Sequence, residues 1–213
     1  MGELHELIRT ERLGLIELLE TLGPAEWSTP SLCGAWTVQE VAAHLAWAPV
    51  TPMAATLVAL VRSGFRLNRA SAEQSRTAAE AGPEAILAQL RDNARTGALP
   101  SGVPVPAGVV EAVVHGIDIR RPLGRPVTIT PEVFRIAADT SVGLRWPLTV
   151  VVGGSARKRL AGLTLVAEGY DWSYGEGPEA VGSAETVLRV LNGRPVDRAE
   201  LTGPGAGLLM SRL

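Results

Sequence analysis

The sequence predicts an α+β chain in which a four-helix bundle, residues 1–145, precedes a small α+β domain, residues 146–213. Three observations carry that reading. Apolar residues recur at helical spacing in successive segments ahead of Pro122. Beyond Pro122 the texture changes to short apolar runs of strand length mixed with helical patterns. The composition, 46% hydrophobic and 20% charged over 213 residues, is that of a globular chain able to bury a sizeable core.

The first 22 residues place Leu4, Leu7, Ile8, Leu15, Leu18, Leu19 and Leu22 on one stripe, and Gly23-Pro24 ends the helix. In TVQE, Thr37 and Glu40 have the spacing of a capping box, so a second helix starts near Val38 and runs through His44 to about Trp47. Pro49 and Pro52 interrupt it before the apolar piece Met53 to Val61. Their position just past His44 raises the question of whether its imidazole is displaced. Between Arg62 and Gly82 the sequence is polar and Ala-rich without a clear period, and part of it reads as mobile. Pro83, Ile86, Leu87 and Leu90 define a third helix that frays near Gly97. The prolines of LPSGVPVPAG resist helix until Ala107, after which Val109, Val110, Val113, Val114 and Ile117 form the face of a fourth.

In the last third, TPEVFRIAADTSVGLRW reads as a helix, LTVVV and AGLTLVAEG as short strands, and SAETVLRVLNGR as a helix closing at Gly193. A bundle followed by alternating strands and helix is a two-part α+β architecture. Bundle cores commonly house metal or cofactor sites.

Charge and cysteine content narrow the partners. A formal charge of −2 and a pI near 6.0 supply no basic field, so nucleic acid is not an expected partner. No run approaches the roughly 18 apolar residues of a membrane span, and no secretory leader is visible, so the chain reads as cytoplasmic. One cysteine, Cys33, excludes an internal disulfide. Lysine occurs once, Lys158, among 20 basic residues, a skew that fits GC-rich coding better than a binding duty. Signatures of phosphate loops, elbow serines and dithiol redox sites are missing.

Two of the three histidines fall where a core helix would avoid polarity. Glu111 and His115 stand four residues apart, a spacing that lets both grip one cation, and Asp118 shares their stripe. His44 offers a third ligand from another helix; three protein ligands with an open position describe a catalytic metal site. The competing reading makes His44 a hydrogen-bonded core histidine and Glu111–His115 a half-exposed pair.

LCGAWTVQEVAAHLAW together with EAVVHGIDIRRPLGRP resembles the mycothiol-dependent maleylpyruvate isomerase family, a branch of the DinB-like metal-binding four-helix bundles. The likeness covers most of the chain: AGLTLVAEGYDW, the Gly-Pro of GEGPEAVGSAETVLRVLNGR and the closing LTGPGAGLL are similar to that family's sterol-carrier-like α+β domain. The resemblance implies a divalent ion, usually zinc, held by His44, Glu111 and His115 with no metal-bound cysteine, and mycothiol as cosubstrate. A thiol on the ion would attack a small electrophilic substrate, giving an isomer or a thiol adduct, in a monomer or homodimer.

Two further classes share these residues: a non-catalytic metal-containing protein that binds a small ligand, and a metal-dependent hydrolase. Asp118 reads as the partner that orients a ligand imidazole, as a base, or as a residue that pairs with a nearby arginine such as Arg121 or caps a turn. Cys33 reads as a small buried spacer and His5 as solvent-facing, with Trp36, Trp47 and Trp146 as core or pocket wall. Arg120 and Arg121 suit either a carboxylate at the pocket mouth or the helix dipole.

Overall fold

A computed structural model of the chain describes residues 2–34, 36–146 and 148–213. The chain divides into two compact units, Met1–Pro126 and Val127–Leu213.

In the first unit, α1 (Glu3–Glu20) buries Ile8, Leu15, Ile16 and Leu19, together with Arg12 on the same face. A single turn, α2 (Pro24–Trp27), seats Trp27 in the core. The capping box forms as the sequence predicts: the Glu40 amide donates to Thr37 Oγ1 at 3.2 Å and the Thr37 amide to Glu40 Oε2 at 2.7 Å, opening α3 (Val38–Trp47). Pro49 falls in a 3-10 turn after α3 has ended, so the turn that carries His44 keeps its helical geometry, with the Ala48 amide bonded to the His44 carbonyl. α4 (Met53–Arg62) buries none of its residues.

The stretch expected to be aperiodic and partly mobile is instead helical, as α5 (Leu67–Ala79), and packs on α3. Its buried face consists of Ala70, Ser75 and Ala79, residues too small or polar to produce an apolar period. α6 (Gly82–Thr96) buries Ile86, Leu90, Asn93 and Ala94 and stops at Gly97, whose φ of 71° suits the left-handed cap. α7 (Val105–Arg120) begins two residues before the expected Ala107, because Pro106 sits in the first turn where no amide hydrogen is needed. Helices α1, α3, α6 and α7 make the bundle: α1 lies against α6 and α7, and α3 against α6 and α7. Ala42, Ala43 and Ala46 are fully buried on α3 and admit close approach of its neighbours.

The second unit contains α8 (Pro131–Gly143), α9 (Leu148–Val151), α10 (Ala156–Arg159), β1 (Thr164–Ala167), β2 (Ser173–Gly175), β3 (Glu179–Gly182), α11 (Ala184–Leu191) and α12 (Ala206–Met210). Its sheet has the order β2-β1-β3, with β1 antiparallel to β2 and parallel to β3. AGLTLVAEG supplies β1, and SAETVLRVLNGR supplies α11, capped by Ser183 and closed by Gly193 at φ 63°. LTVVV, expected as a strand, forms the helical turn α9: β-branched residues favour a strand only where a neighbouring strand can pair and pack with them. The helix over 131–143, grouped with the bundle in the sequence reading, packs on α10 and α11, so the compact second unit starts at Val127 rather than at residue 146. No helix among the described residues is long and apolar enough to cross a membrane.

Candidate metal centre

His44 is presented by a helix fixed from three directions. The flanking residues Val41, Ala43, Leu45 and Ala46 are buried. Asn93, fully buried on α6, donates Nδ2 to the carbonyls of Leu45 at 3.3 Å and Ala46 at 2.7 Å. Gln89 Nε2 in turn donates to Asn93 Oδ1 at 2.9 Å, and Arg12 Nη1 donates to the Asn93 carbonyl at 3.2 Å. On α5, Ser75 Oγ lies 3.4 Å from His44 Nδ1. The ring's other nitrogen, Nε2, is 3.5 Å from Glu111 Oε1 on α7.

His115, one turn beyond Glu111, meets the His44 ring edge-on with centroids 5.2 Å apart. Trp36 is 9% exposed and walls both imidazoles, 5.2 Å from His44 and stacked 6.3 Å from His115. Asp118, fully buried, places Oδ2 2.9 Å from His115 Nδ1. Its carbonyl accepts from the Leu32 amide at 3.1 Å, which ties the loop carrying Cys33 to α7. Burial alone would raise the Glu111 carboxyl. The hydrogen bond from His44, with the fields of His44, His115 and Arg12, overcomes that and holds it below its ordinary range.

Of the three residues singled out from sequence, His44 lies beside Glu111 and the His115 ring beside that of His44. Among the described residues, however, the His/Cys/Asp/Glu set whose donor atoms all lie within 4.8 Å of one another is Cys33, His115 and Asp118. Cys33 is half-buried and packs against the core cluster, as a small spacer would, at the edge of this centre. Of the other residues raised by the sequence, Arg120 donates Nη2 to the Gly14 carbonyl at 2.9 Å and joins α7 to α1. Trp146 is 80% exposed, neither core nor wall, and His5 is partly buried.

Arg12, Ser75 and Asn93 were not singled out by sequence reasoning. Two of them had a signal: Arg12 interrupts the stripe Ile8, Leu15, Leu19, and Asn93 follows Ile86 and Leu90 at core spacing. A polar residue on an apolar stripe marks a buried hydrogen-bonding duty.

Residues 8–120 match the family described as the mycothiol maleylpyruvate isomerase N-terminal domain. The chain belongs to this family. Every side chain of the centre described above lies within the matched span. Among solved structures, the mycothiol-dependent maleylpyruvate isomerase superposes with a TM-score of 0.63 at 18% identity, covering 96% of this chain and 92% of the other. A histidine-to-alanine mutant of that isomerase gives a TM-score of 0.63 at 17% identity, with the same coverage. No curated protein matches the sequence. At these identities the superpositions show that this member of the mycothiol maleylpyruvate isomerase family shares the fold of the isomerase across both units.

Proposed function

We propose that this chain is a divalent-metal enzyme, with zinc as the ion, that uses a low-molecular-weight thiol such as mycothiol to isomerise a small electrophilic substrate or to form a thiol adduct with it. The observation that carries the reading is the 3.5 Å separation of His44 Nε2 and Glu111 Oε1. Zinc bonds of about 2.0–2.2 Å at tetrahedral angles put neighbouring N and O donors about 3.3–3.6 Å apart, so this pair already spans one coordination edge. Membership of a family named for a mycothiol isomerase supports the thiol.

In this reading His44, Glu111 and His115 hold the ion and leave a position open. When bound, the ion supplies thiolate at neutral pH from a thiol in that position. The remaining work is done by the chain. Asp118, 2.9 Å from His115 Nδ1, accepts a hydrogen bond from the N–H there and fixes the tautomer that keeps the lone pair on Nε2. Ser75, facing His44 Nδ1, does the same for the second imidazole. Arg12 sets a positive field beside Glu111, and Trp36 screens both rings from water on one side.

Elemental analysis of the purified protein should find a stoichiometric divalent metal that is lost in His115→Ala. Titration with mycothiol should then release heat and protons from the metal-loaded protein alone. A metal-loaded protein indifferent to the thiol overturns the thiol chemistry, and a protein that retains no divalent metal overturns the reading as a whole.

A further inference from the structure

We propose that Cys33, His115 and Asp118 form a second coordination set, containing a protein thiolate, for a thiophilic divalent ion such as Zn2+ or Co2+. It departs from the expectation of a cysteine-free site, and it does not depend on the His44–Glu111 pair. It shares with the proposed His44–Glu111–His115 set only the imidazole of His115.

The donor atoms of the three side chains lie within 4.8 Å of one another, and they combine a sulfur, a nitrogen and a carboxylate oxygen. That mixture selects zinc and cobalt over magnesium or calcium, which prefer oxygen alone. One edge is close to coordination length: His115 Nδ1 and Asp118 Oδ2 are 2.9 Å apart, against about 3.4 Å for a tetrahedral zinc, so an ion replacing the shared proton needs only a small opening. Asp118 is 0% exposed on α7, one turn beyond the inward-facing His115.

The third donor sits on a tethered loop. The Leu32 amide bonds to the Asp118 carbonyl at 3.1 Å and the Cys33 amide to Ser31 Oγ at 3.1 Å, while Gly34 at φ 61° completes the bend. The backbone just before the cysteine is therefore held against the helix turn that bears the other two donors. Bringing the sulfur to coordination distance requires movement of one half-buried side chain. Binding would displace the thiol proton and the proton shared by His115 and Asp118, and fill three positions of a tetrahedron.

Cobalt(II) substitution tests this directly. The whole protein, stripped of metal and kept reduced with a phosphine in place of any thiol, is titrated with Co2+ and followed by absorption. A sulfur-to-cobalt charge-transfer band in the near ultraviolet is expected for the wild type, lost in Cys33→Ser and retained in His44→Ala. Circular dichroism of each variant checks that the fold is intact, and Cys33→Ala serves if Cys33→Ser misfolds. Cobalt bound without the sulfur band overturns this site while leaving the His44–Glu111–His115 reading intact. A band abolished by His44→Ala overturns the second set, since the cysteine then belongs to the first. Failure to bind cobalt at all overturns both.

Discussion

Asn93 Nδ2 donates to the Ala46 carbonyl at 2.7 Å, two residues beyond His44 on the neighbouring helix. Asn93 is fully buried, so its replacement strands the Leu45 and Ala46 carbonyls as well as opening a void. Asn93→Ala is expected to cost about 2–3 kcal/mol in denaturant unfolding. Because the same bonds fix the turn that presents His44, metal affinity measured by competition with a chelator should fall in the same variant.

Two glutamates titrate in opposite senses. The fold favours the ionised form of Glu111, so its contribution is present above the ordinary carboxyl range and is lost as pH falls through its lowered value. Burial raises Glu11, with Arg120 opposing only in part; stability therefore drops as pH rises from the ordinary carboxyl range through the raised value. Unfolding midpoints of the metal-free protein over a pH series should show Glu111→Gln losing the acid-side decline. Glu11→Gln should be more stable than wild type near neutrality, with the gain vanishing in acid.

In the second unit Arg189, 3% exposed, donates to Glu200 and to the Pro195 carbonyl and lies 3.4 Å from Glu185. Arg189→Ala would leave carboxylates half-sequestered without their cation, at a cost of about 3–5 kcal/mol. A two-probe unfolding experiment that finds less than about 1 kcal/mol would show the cluster to be solvated.

Helix α4 presents Met53, Leu57, Val58 and Val61 to solvent. With nothing to bury, Leu57→Ser should change stability by less than about 0.5 kcal/mol, and amide exchange should be faster in α4 than in α3. Phe65, 75% exposed, holds φ at 61°, a left-handed conformation that costs a side-chain-bearing residue about 1 kcal/mol or more. Phe65→Gly should therefore raise the unfolding midpoint, in the absence of any packing to lose.

Local periodicity makes the bundle helices legible, because Ile8, Leu15 and Leu19, or Ile86 and Leu90, repeat at the helical period, and the Thr37–Glu40 box and Gly97 mark the ends. It also determined which residues face the centre on α7, since Glu111 and His115 four apart must share a side. The remainder follows from packing between elements. α5 was illegible because Ala70, Ser75 and Ala79 leave no apolar signature, and LTVVV because a strand exists only with a partner. The meeting of His44 with Glu111, the clamp from Asn93 and the approach of Cys33 to Asp118 join residues far apart in the chain. Local periodicity fixes the direction of a side chain about its own helix axis, but the distance between two helices is set by packing of the residues between them.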